Sequence, residues 1–139
     1  MLWISWQRCI EHHDKEEKQM KNQKKDPLYK SFKYAFEGIF AGIKKERNMK
    51  IHCIAAILVI ISGIIFKISA IEWCVCFLLF GLIMALELVN TSVEAVVDLV
   101  TNDYHPLAKL AKDTAAGAVL IAAIMSVIIG CIIFIPKIL

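Results

Sequence analysis

Four polar side chains stand three or four residues apart within one apolar stretch: Glu87, Asn90, Glu94 and Asp98. On a helix that advances about 100° per residue they share one stripe. The residues between them are Leu, Val, Ala, Ser and Thr. Carboxylates in a segment apolar enough for a membrane are costly and are usually functional. We therefore infer that this stripe carries the candidate functional site.

The chemistry that such a stripe suits is phosphoryl transfer with a divalent metal. Mg²⁺ takes oxygen ligands and often combines one or two protein carboxylates with substrate phosphates and water. Phosphoryl transfer also needs charge neutralisation and a base beside the attacking hydroxyl. Glu87 is placed to accept a proton from an alcohol, and Lys112 is placed to balance phosphate charge. The sequence has no P-loop and no protein-kinase signature, so a nucleotide would have to bind in another way.

Three apolar runs must position these residues: Ile51 to Phe66, Ala70 to Val89 and Ala115 to Ile135. Each is close to the ~20 residues of a membrane-crossing helix. The 139 residues are 58% hydrophobic and 21% charged, which one soluble domain would struggle to bury. The sequence predicts an all-α integral membrane protein with spans at about residues 49–69, 70–100 and 114–136. The second span should extend into the cytoplasm, and Asp113 or Thr114 should cap the third after a break at Pro106.

Before the spans, apolar residues recur every three or four positions from Leu28 to Ile43, with lysines opposite them. This pattern predicts an amphipathic helix over residues 28–47 that lies on the membrane surface. Residues 1–27 differ in composition and are predicted to be a polar, basic appendage to a membrane domain of residues 28–139. Lys and Arg cluster before residue 50 and again at Lys109 and Lys112, so the amino terminus should be cytoplasmic and the carboxyl terminus extracellular.

Three motifs carry a resemblance to a known family. The segment ELVNTSVEAVVD, from Glu87 to Asp98, is followed by Asp103-Tyr104-His105 and then by AKDTAAGAV. This arrangement closely resembles the prokaryotic diacylglycerol kinase family, over roughly residues 28 to 135. The segment ERNMKIH, which begins at Glu46, is similar to the Gram-positive branch, whose members act as undecaprenol kinases.

The resemblance implies roles for individual residues. Glu87 would be the catalytic proton acceptor, Glu46 and Glu94 would hold Mg²⁺ with ATP, and Asn90 and Ala116 would line the substrate region. The implied nucleotide-contacting residues also include Tyr34, Asp103, Tyr104, His105, Lys112 and Asp113. The implied fold is a surface helix plus three transmembrane helices, assembled as a homotrimer with active sites shared between protomers.

The resulting expectation is a multi-pass lipid kinase of the bacterial plasma membrane, with ATP, a membrane lipid alcohol and the bilayer as partners and no nucleic acid. Undecaprenol is the expected substrate and undecaprenyl phosphate the product, for lipid carrier recycling. Diacylglycerol, phosphorylated by the same chemistry, is the alternative substrate; His52 departs from the acid that the resemblance implies at this position in the diacylglycerol-acting branch. A small proton-coupled transporter that uses Glu87 is an alternative of a different class.

Overall fold

The computed structural model describes residues 27–139, and the predicted appendage at residues 1–26 lies outside the described part of the chain. The chain divides into two units, Met1–Phe36 and Glu37–Leu139. Four helices follow one another in sequence: α1 (Leu28–Lys45), α2 (Arg47–Ile65), α3 (Ala70–Val100) and α4 (Pro106–Ile138).

Helices α2, α3 and α4 are long and apolar enough to cross a membrane, with 19, 31 and 33 residues. Most of their large apolar side chains are exposed in the single chain. A helix that is apolar on all sides is typical of a lipid environment. The structure thus confirms an all-α protein with three helices of membrane-spanning length.

Helix α3 is the central element, because it packs against both α2 and α4. Its buried residues are Ile83, Glu87 and Asn90, which lie on one face. At 1.5 Å per residue, 31 residues extend about 46 Å, against about 30 Å of hydrocarbon in a bilayer. Helix α3 is therefore longer than the apolar layer is thick, and the polar stripe lies in its last turns.

A tight turn joins α2 to α3. Lys67 adopts a left-handed conformation with φ of 50°, and the Ile68 amide donates to the Gly63 carbonyl, which together form a Schellman-type helix end. Ser69 then caps α3: its hydroxyl accepts from the Glu72 amide, and the Glu72 carboxylate accepts from the Ser69 amide. Both helix ends at this turn are thus satisfied locally.

The same end of the bundle is closed by contacts from α4. Lys137 Nζ lies 3.1 Å from Glu72 Oε1, and the Phe134 and Phe66 rings meet edge to face at 6.2 Å. The Lys137 pair connects the end of α4 to the start of α3. The polar stripe of α3 lies at the opposite end of these helices.

Helix α4 begins earlier than its predicted cap. The structure places Pro106 in the first turn, and His105 Nδ1 accepts a hydrogen bond from the Leu107 amide. The prediction that Asp113 or Thr114 caps this helix is wrong, because both lie inside it. Proline breaks a helix interior but suits the first turn, where its fixed φ is helical and its missing N–H has no partner to lose.

Candidate active site

Glu87 is the most deeply buried charged side chain among the described residues, with 2% of its surface exposed. It projects from α3 toward α2, where its Oε1 lies 3.3 Å from His52 Nε2. This oxygen nevertheless makes no hydrogen bond. An unpaired buried polar atom is costly, so this oxygen can accept a hydrogen bond from a nearby donor.

Asn90 lies one turn further along α3 and is also buried. Its Nδ2 donates to Glu94 Oε1 at 3.0 Å, whereas its Oδ1 has no partner. The neighbouring Thr91 and Ser92 hydroxyls are committed to backbone carbonyls of α3. Within residues 27–139, the unpaired buried side-chain oxygens are thus those of Glu87 and Asn90, on adjacent turns of one helix face.

A cavity of about 190 Å³ opens beside these atoms. All three long helices contribute to its wall: Asn48 and His52 from α2, Glu87 and Asn90 from α3, and Ala116, Val119, Leu120 and Ala123 from α4. The structure therefore brings Glu87, Asn90 and Ala116, the predicted substrate residues, to one cavity. The small side chain of Ala116 leaves room opposite the two unpaired oxygens.

Glu46 and Glu94 are not in the wall of this cavity but lie near Glu87, which is. Glu46 occupies the position just before α2, makes no side-chain cap there, and lies 3.5 Å from Lys45. Both Glu46 and Glu94 are close enough to Glu87 to interact with it electrostatically. Three carboxylates thus lie near one another at one end of the bundle, with Lys45 beside Glu46 and His52 beside Glu87.

The fit to a metal ion depends on the donor set. Within residues 27–139, no group of three or more His, Cys, Asp or Glu side chains is arranged to hold a metal. Glu46 and Glu94 supply oxygen donors, which suit Mg²⁺, and Mg²⁺ sites commonly use only one or two protein carboxylates. The donors fit the metal, provided that phosphate oxygens and water complete its coordination.

A second cavity of about 430 Å³ lies beyond the first, around the junction of α3 and α4. Its wall contains five of the predicted nucleotide-binding residues: Asp103, Tyr104, His105, Lys112 and Asp113. Lys112 Nζ lies 2.6 Å from Asp98 Oδ1, and Lys109 binds Asp113 within α4. Tyr34, the sixth, is an exposed residue of α1 in the unit Met1–Phe36, and its nucleotide role stays a prediction.

Sequence reasoning missed His52 and Asn48 as cavity residues. A histidine near a bilayer surface is usually an interfacial hydrogen-bonding residue, and nothing in the spacing along α2 distinguishes His52 from that case. Its partner is on another helix, so only the packing of α2 against α3 reveals the contact.

Comparison with known proteins agrees with this architecture. The family model for prokaryotic diacylglycerol kinase matches residues 33–134. The undecaprenol kinase of Bacillus subtilis (strain 168) is 50% identical over 110 residues, which cover 79% of this chain and 89% of that protein. The diacylglycerol kinase of Synechocystis sp. is 45% identical over 113 residues, 81% of this chain and 65% of that protein. The diacylglycerol kinase of Escherichia coli (strain K12) is 32% identical over 105 residues, 76% of this chain and 86% of that protein.

The matched region contains α2 and α3 entirely, and with them every acid that surrounds the first cavity. It also contains the beginning of α4 with Lys112 and Asp113. The buried carboxylate, the two cavities and all but the last residues of the three membrane-length helices fall within it, and the chain belongs to the prokaryotic diacylglycerol kinase family.

Proposed function

We propose that this protein is an undecaprenol kinase that transfers the γ-phosphoryl group of Mg-ATP to the lipid hydroxyl at the cytoplasmic membrane surface. The observation that carries the proposal is the buried Glu87 carboxylate, which lines a cavity between three membrane-length helices. The second cavity, with Lys112 in its wall, adjoins the exposed ends of α3 and α4. A lipid alcohol and a soluble nucleotide can thus reach neighbouring sites from two different phases.

In the proposed reaction, Glu87 accepts the proton of the lipid hydroxyl while that oxygen forms a bond to the γ-phosphorus of ATP. The bond between the γ-phosphorus and its bridging oxygen breaks, and ADP leaves with that oxygen. Asn90 has an unpaired Oδ1 in the same wall, so it can accept a hydrogen bond that orients the incoming substrate. A positioned base of this kind typically contributes about 10²- to 10⁴-fold to the rate.

The charge of the triphosphate is met by residues at the cytoplasmic end. Glu46 and Glu94 would hold Mg²⁺, which when bound neutralises phosphate charge and aligns the β- and γ-phosphoryl oxygens. Lys112 would contact the phosphates directly, and Asp103, Tyr104, His105 and Asp113 would contact the nucleotide, as the resemblance implies. Lys112 can leave Asp98 at little cost, because both side chains are substantially exposed to solvent.

The choice of undecaprenol over diacylglycerol rests on the 50% identity to the undecaprenol kinase of Bacillus subtilis, and a third, apolar cavity of about 110 Å³ supports it. Its wall contains His52, Ala55, Ala56, Val59, Cys76, Leu79, Phe80, Ile83, Ser126, Ile129, Gly130, Ile133 and Phe134. It shares His52 with the Glu87 cavity. The Ser126 hydroxyl already donates to the Ala122 carbonyl, so little polar capacity remains there.

An apolar cavity of about 150 Å³ accommodates benzene, so this one has room for roughly one isoprene unit. Undecaprenol has only hydrocarbon beyond its hydroxyl. Diacylglycerol has two ester groups close to its hydroxyl, and their carbonyls would lose hydrogen bonds in this wall. Diacylglycerol remains the second candidate, because two of the compared relatives are diacylglycerol kinases.

The proposal extends to orientation and assembly. The lysine-rich start of the chain and the α3–α4 junction would be cytoplasmic, the carboxyl terminus would be extracellular, and the bilayer would be a bacterial plasma membrane. A homotrimer, implied by the resemblance, would let neighbouring protomers cover exposed apolar faces and share sites. Residues 1–27 would be an appendage that the kinase domain does not need.

The test is a lipid-substrate panel with purified protein, Mg²⁺ and γ-labelled ATP in detergent micelles. We expect label to enter undecaprenol faster than diacylglycerol, and Glu87→Gln to abolish at least about 99% of turnover. Glu72→Gln is the matched control, because it makes the same change near the other end of α3. Faster labelling of diacylglycerol would reverse the substrate assignment, and normal turnover in Glu87→Gln would remove the base from the mechanism.

A further inference from the structure

His52 lies in the walls of two cavities. It projects from α2, and its side chain is 20% exposed. It lines both the cavity that contains Glu87 and Asn90 and the apolar cavity that extends toward Phe134. A lipid whose hydroxyl reaches Glu87 and whose chain enters the apolar cavity would pass this imidazole.

In the His52–Glu87 pair, the imidazole can donate a hydrogen bond and the carboxylate can accept it. An imidazole Nε2 donates a hydrogen bond in the Nε2–H tautomer and in the imidazolium form. In this structure it lies 3.3 Å from Glu87 Oε1, which no other group in the described residues hydrogen-bonds. A modest rotation of the ring would turn this approach into a hydrogen bond to that oxygen.

The alternatives for orienting Glu87 are few. Asn90 lies one turn along the same face of α3, and its Nδ2 donates to Glu94 Oε1. The Thr91 hydroxyl donates to the Glu87 backbone carbonyl rather than to its carboxylate. Glu46 and Glu94 both act on Glu87 through their charge and offer no donor when ionised.

We propose that His52 is a positioning residue, which holds one Glu87 carboxylate oxygen from the neighbouring helix and leaves the other oxygen to take the lipid proton. This inference rests on the proposed kinase function. It gives His52 no direct contact with ATP, so its effect should fall on turnover rather than on nucleotide affinity. A base held in one orientation is effective because small misplacements of reacting groups lower rates steeply.

The experiment compares His52→Leu, which removes the donor, with His52→Gln, which keeps an N–H of similar reach. We expect His52→Leu to lower kcat at least tenfold, with KM for Mg-ATP within twofold of the unmodified protein. His52→Gln should restore most of that loss. Cys53→Ala, the adjacent change on α2, should leave both constants unchanged.

A double-mutant cycle separates positioning from a purely structural role. When Glu87 is already Gln, His52→Leu should cause less than a twofold further loss of residual turnover. Unchanged kcat in His52→Leu, or equal loss in the Leu and Gln variants at equal thermal stability, would overturn the inference while leaving the kinase proposal intact. Absence of lipid phosphorylation by the unmodified protein would instead overturn both.

Discussion

Lys112 Nζ lies 2.6 Å from Asp98 Oδ1, so a cation near the start of α4 is held against the end of α3. The neighbouring Lys109 instead binds Asp113 within its own helix. Exposed ion pairs of this kind contribute about 0–1 kcal/mol to stability. The contact therefore keeps Lys112 in the wall of the second cavity, and it binds Lys112 only weakly to Asp98.

Removal of the Lys112 charge should weaken nucleotide use. Hydrogen bonds to charged groups contribute about 1.5–3 kcal/mol, so we expect Lys112→Ala to raise KM for Mg-ATP about 10- to 100-fold. Steady-state kinetics at saturating lipid measures this change. Lys137→Ala is the matched control at the other end of α4, and a similar KM in both variants would contradict the assigned role.

The metal assignment predicts a change in Mg²⁺ dependence. Glu46→Gln and Glu94→Gln each replace a carboxylate with a neutral amide, which is a weaker ligand for a hard cation. We expect each variant to require at least about tenfold more Mg²⁺ for half-maximal turnover at fixed ATP. Titration of Mg²⁺ against initial rate measures this requirement. An unchanged Mg²⁺ titration in both variants would exclude these carboxylates as ligands.

The turn between α2 and α3 predicts a stability effect remote from the site. A Cβ at Gly63 would lie 2.7 Å from Trp73 Cη2 and 3.0 Å from Ile68 Cδ1. The Trp73 ring cannot easily move away, because it also stacks on Phe77. Gly63→Ala should therefore destabilise the fold by about 1–3 kcal/mol. Thermal unfolding in detergent measures the effect.

The matched control for Gly63 is the same substitution at Gly38 of α1, where a Cβ would meet nothing within 4 Å. Alanine is favoured over glycine in a helix by about 0.5–1 kcal/mol, so Gly38→Ala should leave stability unchanged or raise it. Equal losses at both positions would show that the contact with Trp73 is not what limits the substitution.

The last prediction concerns deletion of the first residues of the chain. The family model begins at residue 33, and none of the site residues precedes Tyr34. Deletion of residues 1–25 should therefore leave kcat and both KM values within about twofold, since loss of a polar terminal segment removes few stabilising contacts. A collapse of activity in membranes that still contain the truncated protein would show that this segment contributes to catalysis.

The sequence predicted the long helices well, because their signals are local. The run from Ala70 to Val100 contains no proline, and its polar stripe follows from helical spacing alone. The start of α4 was mispredicted because a proline near a helix boundary has two interpretations, and only the backbone shows that Pro106 opens the helix. The His52–Glu87 approach was not predictable, because it depends on how α2 and α3 pack.

The candidate site residues likewise divide into those that local sequence could group and those that only packing reveals. Asp103, Tyr104 and His105 could be grouped from one short segment, and the structure places them in one cavity wall. Their assignment to a nucleotide came from resemblance and stays a prediction. The unpaired oxygens of Glu87 and Asn90 are different: burial and hydrogen bonding of individual atoms emerge only from the packed helices.

The excess length of α3 sets the depth of Glu87 relative to the lipid headgroups. Under the proposed mechanism, a thicker bilayer would draw the last turns of α3 into the hydrocarbon, and a thinner one would lift Glu87 away from the lipid hydroxyl. We therefore expect the acyl length of the surrounding phospholipids to affect the catalytic rate. Host membranes of different thickness would tune the enzyme without any change in its residues.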